Sequence, residues 1–148
     1  MHSTLVSENG ATTHVLVFDQ GDEAMGGLES FAREHGLSAA SFTGIGAFSE
    51  VVLGYFDWEA KEYAEIPVTE QVEVVSLIGD VALSKGEPAV HAHVVVAKQD
   101  GSAHGGHLLR ARVRPTLEVV LTETPAELRK ELDPKSGLAL IARGTPPT

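Results

Sequence analysis

The sequence predicts an α+β fold, a mostly antiparallel β-sheet with one main helix packed on it. Short runs rich in valine, isoleucine, threonine and aromatic residues recur between glycine-, proline- and aspartate-containing turns, the pattern of strands joined by tight connections. Residues 22–36 alone combine apolar residues at helical spacing with end signals on both sides. Parallel strands would need crossover helices, and the chain offers too few of them.

Taken in order, residues 12–18 are β-branched and apolar and form the first predicted strand, ended by Asp19-Gln20-Gly21. Asp22 is placed to cap a helix in which Met25, Leu28, Phe31 and Ala32 share a face, while Arg33, His35 and Gly36 suit its last turn. Gly26-Gly27 is the weak point of that helix. Ser41-Phe42-Thr43 and residues 51–56 read as two short strands around a turn at Gly44-Ile45-Gly46, with a further strand pair through Tyr63 to Val68. Residues 71–83 form a long β-branched run, read as a central strand and broken by Lys85-Gly86-Glu87-Pro88. Residues 89–98 and 106–114 flank Gln99-Asp100-Gly101, a loop of the kind that closes a hairpin, and residues 116–123 make a last strong strand. A short helix over 125–132 and the apolar stretch 138–142 close the fold before a flexible tail at about 144–148. With neither repeat nor linker, residues 1–148 read as a single domain.

Composition narrows the chemistry. A chain of 148 residues, 43% apolar and 22% charged, can bury a real core without covalent staples. The lack of cysteine excludes disulfides, iron-sulfur clusters, thiolate zinc sites and cysteine nucleophiles, leaving seven histidines and the carboxylates as metal ligands. The N-terminal residues lack a basic stretch followed by an apolar one, and no apolar run reaches membrane-spanning length, so a soluble cytoplasmic protein is expected. A net charge of -10 repels a phosphate backbone unless positive charge is gathered locally. Residues 110–148 carry a small positive excess that includes Arg110, Arg112 and Arg114, alternating on one strand face. These arginines could meet phosphates, the carboxylates of a neighbouring subunit, or water.

The sharpest feature is His91-Ala92-His93 in a valine-rich strand, followed beyond the loop by Gly105-Gly106-His107. Alternation puts His91 and His93 on one face. A three-residue loop at Gln99-Asp100-Gly101 sets Lys98 opposite Ser102 and His93 directly opposite His107, with His91 as the diagonal neighbour. Three imidazoles then converge in a way that suits zinc or a similar divalent ion with one position left open. The same register pairs His104 with Val96 and turns it away.

With these residues in hand the chain resembles the PPC (plant and prokaryote conserved) domain family, in its stand-alone prokaryotic form. The resemblance is carried by Gly21-Asp22-Glu23, Thr43-Gly44-Ile45-Gly46-Ala47, Leu53-Gly54-Tyr55-Phe56-Asp57, residues 73–79, His91-Ala92-His93-Val94, and Gly105-Gly106-His107-Leu108 with Glu118-Val119-Val120. It implies a compact α+β domain that assembles as a homotrimer, with a metal site at His91, His93 and His107. The family's DNA-binding association comes through AT-hook motifs in plants, whose Arg-Gly-Arg-Pro core does not occur in this sequence.

Glu73 and Glu118 sit among valines, where each could orient a ligand histidine, accept a proton or supply a fourth ligand, or simply lie on the wet face of a strand. Six of the eight aromatics fall between residues 42 and 63, a segment expected to be core or subunit interface. The expected function is a metal-binding homotrimer with a pocket open to a small molecule. Any catalysis would be of the metal-dependent hydrolase or hydratase type, and the alternative is a DNA-associated regulatory protein without catalytic activity.

Overall fold

The computed structural model describes residues 1–7 and 11–142, so the expected tail at about 144–148 lies outside the described residues. In chain order the elements are β1 (His2–Ser7), β2 (Thr13–Phe18), α1 (Ala24–Glu34), β3 (Ala39–Asp57), β4 (Glu62–Val68), β5 (Val72–Ser84), β6 (Glu87–Ala97), β7 (Ala103–Glu123), β8 (Arg129–Leu132) and β9 (Ala139–Ile141). The strands form one mostly antiparallel sheet, with β5 against β8 as the parallel pair, so the α+β expectation stands in its coarse form.

The sheet is organised by two long strands. β3 pairs β5 through residues 39–48 and β4 through residues 51–57, while its other edge pairs β7 along most of its length. β6 joins β5 to the start of β7, so β3, β5, β6 and β7 close into a ring of hydrogen-bonded neighbours. Inside lie Phe48, Leu53, Leu77, Val96, Leu108 and Leu117, each no more than 1% exposed. Burial of this kind supplies the main stabilising term.

The helix lies over this core through Leu28, Phe31 and Ala32. Its cap is Glu23, one residue later than expected: the carboxylate accepts from the backbone N–H of Gly26 at 2.6 Å, and more loosely from Met25 at 3.4 Å. The same side chain accepts from the N–H of Ala111 at 3.0 Å and so ties the helix to β7. Asp22 instead pairs with the N-terminal amine at 2.7 Å. The glycine that weakens the helix is what lets it dock, because a Cβ on Gly27 would run into the ring of Phe18.

Several expectations are corrected. The two short strands around Gly44-Ile45-Gly46 are one strand, and the glycines form a bulge at which the β3–β5 register shifts. A Cβ on Gly46 would collide with the backbone of Thr116 and Leu117, so the glycine serves a close strand approach rather than a turn. The strands expected at 106–114 and 116–123 are likewise one strand, β7. Pro115 falls where the β3–β7 register shifts between Gly46 and Phe48, so its missing N–H costs no ladder bond. Residues 125–132 do not form a helix. Leu128 donates to Ser38 and its carbonyl accepts from Leu83, after which residues 129–132 add a strand to β5. A helix of that length would be marginal alone, whereas the sheet edge offers ready partners. The N-terminal strand β1, paired with β2, was not anticipated.

Candidate metal centre

The β6–β7 hairpin builds the site. Lys98 N–H donates to the Ser102 carbonyl at 2.9 Å, Gly101 takes φ 80°, and Asp100 accepts from Ser102 N–H and Oγ. Those hydrogen bonds from Ser102 hold the Asp100 carboxyl below its ordinary range. The register that follows is the expected one, with His93 opposite His107 and Val96 opposite His104.

His91, His93 and His107 come together on the outer face of the ring, each offering a ring nitrogen within 4.8 Å of the others. His91 Nε2 and His93 Nε2 are 3.2 Å apart. That is about the ~3.3 Å edge of a tetrahedral site whose metal–nitrogen bonds are ~2.0–2.1 Å. His107 is half-buried and stacks on Tyr63, with centroids 4.6 Å apart and planes 24° from parallel. Gly54 makes room for that stack, since a Cβ there would stand 2.8 Å from Tyr63 Cδ1. His107 Nδ1 is buried and has no hydrogen-bond partner.

Electrostatics favour neutral rings. Burial, helped by the charges of His91, His93 and Lys130, pushes His107 down to about 4. Burial and His91 also lower His93. Both therefore carry free lone pairs at neutral pH, the form a metal requires.

Two residues that the sequence did not flag complete the surroundings. Asp80 on β5 pairs with His91 across the β5–β6 ladder, its Oδ2 3.5 Å from His91 Nδ1. Lys130 on β8 is nearly buried; its Nζ lies 3.2 Å from Asp80 Oδ1 and 3.4 Å from the Ala89 carbonyl. The Lys130–Asp80 contact is an ion pair without the alignment of a hydrogen bond. Burial alone would raise the Asp80 carboxyl, but the His91 ring and the Lys130 charge outweigh it and leave the group below its ordinary value.

Glu73 and Glu118 are elsewhere. Both are exposed, paired across strands with Ala97 and Ile45 respectively, and they line a shallow depression with Ile45, Gly46, Val75 and Thr116. Glu73 lies five residues along β5 from Ile78, the partner of His93, a separation of roughly 15 Å at strand rise. The arginine stripe is engaged within the chain: Arg110 forms a two-pronged pair with Glu65, Arg112 donates to the Gly21 carbonyl, and Arg114 donates to Gln71. The aromatic segment divides between core and surface, with Phe42 and Phe48 buried and Tyr55 and Trp58 exposed.

Among the described residues, a mostly antiparallel sheet with one helix and a histidine cluster on its outer face defines the class of protein. The chain belongs to the Plants and Prokaryotes Conserved (PCC) domain family, whose profile it matches over residues 6–125. Among solved structures, a PPC protein of Pyrococcus horikoshii is 33% identical with a TM-score of 0.83, over 97% of this chain and 96% of that one. A metal-containing protein of Archaeoglobus fulgidus is 31% identical with a TM-score of 0.81, over 96% and 97%. A candidate DNA-binding protein of Bacteroides thetaiotaomicron VPI-5482 is 26% identical with a TM-score of 0.85, over 95% and 96%. The bifunctional protein GlmU of Synechococcus sp. (strain JA-3-3Ab) is 29% identical over 129 residues, but this chain spans only 20% of that relative's length. Among the described residues no helix is long and apolar enough to cross a membrane.

Proposed function

We propose that this is a cytoplasmic, homotrimeric metal-binding protein whose His91, His93 and His107 hold zinc or a similar divalent ion, with a coordination position facing a small molecule. The observation that carries the reading is the convergence of one ring nitrogen from each of the three histidines within 4.8 Å, with His91 Nε2 and His93 Nε2 at the 3.2 Å spacing of a tetrahedral edge. The metal-containing relative of Archaeoglobus fulgidus supports the same reading. When bound, a three-histidine zinc supplies Lewis acidity of the kind used in hydrolysis and hydration. The part of this chain's residues is to present three imidazoles, with Tyr63 walling one side. Trimer formation is supported by a contiguous exposed apolar face on the ring, made by Ile45, Val75, Ile78, Val95 and Val120.

The test is elemental analysis of untagged protein beside a His91→Ala, His93→Ala, His107→Ala triple variant, with mass measured in solution by light scattering. About one metal per chain in a trimer, lost in a folded variant, is the expected result. Absence of metal after zinc is added back would overturn the reading. A second reading, a DNA-associated regulator, draws on the candidate DNA-binding relative. The net charge of -10 and the internal contacts of Arg110, Arg112 and Arg114 count against it. Tight, salt-sensitive duplex binding at physiological ionic strength would favour it.

A further inference from the structure

We propose that Lys130 and Asp80 form a positioning relay that fixes the tautomer of His91, and that the C-terminal β8–β9 hairpin exists in part to deliver it. The inference rests on the metal-site reading above for its purpose, though not for its chemistry. β8 and β9 occupy residues 129–141, beyond the 6–125 stretch matched by the family profile. The hairpin is itself well built. Asp133 accepts from Ser136 N–H at 2.9 Å and Oγ at 2.6 Å, Gly137 takes φ 77°, and β8 pairs antiparallel with β9. Its attachment to β5 is short, two residue pairs, Leu83 with Arg129 and Ser84 with Lys130. That register places the Lys130 ammonium against Asp80, with its side chain only 6% exposed. Three groups thus touch in succession: the Lys130 ammonium, the Asp80 carboxylate and the His91 imidazole.

Proton accounting gives the relay its content. An ionised Asp80 has only acceptor sites, so the proton of a neutral His91 belongs on Nδ1, facing it. His91 Nε2 is then a bare acceptor aimed at the cluster. At 3.2 Å from His93 Nε2 it must receive a proton from that ring, so His93 is the Nε2–H tautomer in the metal-free protein. The Lys130 ammonium, 3.2 Å from Asp80 Oδ1, holds the half-buried carboxylate in place beside His91. A carboxylate behind a ligand histidine is the arrangement that sets ring orientation and basicity in metal sites. Asp80 and Lys130 are positioning residues, since neither lies among the converging ring nitrogens.

The experiment is nitrogen-15 NMR of the histidine rings in metal-free full-length protein at mildly alkaline pH, for wild type, D80A, D80N and K130M. Wild type is expected to show His91 as Nδ1–H and His93 as Nε2–H. D80A is expected to return His91 to the Nε2–H form that predominates in free imidazoles. D80N, whose side-chain carbonyl can still accept from Nδ1, is expected to keep the wild-type pattern. Zinc affinity from chelator competition should fall by ~10–100-fold in D80A and less in D80N and K130M. A His91 that is Nε2–H in wild type, or unmoved by D80A in a folded variant, overturns the relay. If wild type binds no zinc, the metal reading fails while the tautomers still decide this one.

Discussion

Gly79 offers a test that couples the fold to the site. It sits in β5 opposite Ala92, between the residues that pair with His93 and His91. A Cβ built there would meet Phe42 Cε1 at 2.8 Å, and would lie closer still to Phe42 Cζ and the carbonyl oxygen of His91. Ordinary contacts begin at 3.4 Å, so a neighbour must retreat by more than half an ångström. Neither can do so freely: Phe42 is 2% exposed, and the His91 carbonyl belongs to the β5–β6 ladder. Overpacking of this kind costs ~1–3 kcal/mol, and with two immobile neighbours the upper end applies. The lost glycine freedom in the unfolded chain returns ~0.4–1 kcal/mol, leaving G79A about 2 kcal/mol less stable. For a domain of this size that is a fall in melting temperature of ~4–8 °C. Zinc retention should fall with it, because constellations of this kind tolerate only ~0.5 Å of misplacement. The control is G27A, equally crowded against Phe18 but on the helix. It should lose stability without loosening zinc. Circular dichroism melts and chelator competition read both quantities. A G79A protein melting within about 1 °C of wild type, or a G27A protein that loses zinc as readily, refutes the argument.

Other outcomes follow from the same geometry. Because His107 is pushed down to about 4 when folded, against 6.5 for the ordinary group, the unfolded chain takes up a proton first as pH falls. Metal-free stability from this residue is therefore full above pH 6.5 and is lost progressively towards pH 4; H107Q should flatten that part of a denaturant-midpoint profile. E23A removes the helix cap and orphans the Ala111 N–H, and should cost about 2–3 kcal/mol in chemical denaturation. Zinc at a hundred times its dissociation constant should stabilise the protein by ~2.7 kcal/mol, raising the melting temperature by ~5–11 °C, and should leave H93A unmoved.

The clustering of the three histidines was more legible than the fold around it. A three-residue loop and strand parity were enough to bring His93 opposite His107, because hairpin register depends only on nearby residues. Asp80 was not legible from that local pattern, since it reaches His91 through the β5–β6 register, which includes a shift between Val74 and Ser76. Lys130 was hidden further by the helix expected over 125–132. The continuity of β3 and β7 was missed for a related reason: glycine and proline mark turns when a strand is judged alone, but bulges when flanking strands hold the chain extended. That Glu73 and Glu118 stand apart from the histidines of the same chain is visible only once the long-range pairing is known.

The two long strands also bear on the order in which the molecule comes together. Ala40 pairs with Glu123, so the ring cannot close until most of the chain has been made, and pairings this distant fold slowly. The three histidines, by contrast, lie within seventeen consecutive residues of a hairpin closed by its own tight loop. The candidate ligands can therefore assemble while the ring is still open. Zinc held there would act first on the rate of refolding, by fastening β6 to the start of β7 and so shortening the loop that β3 must later find.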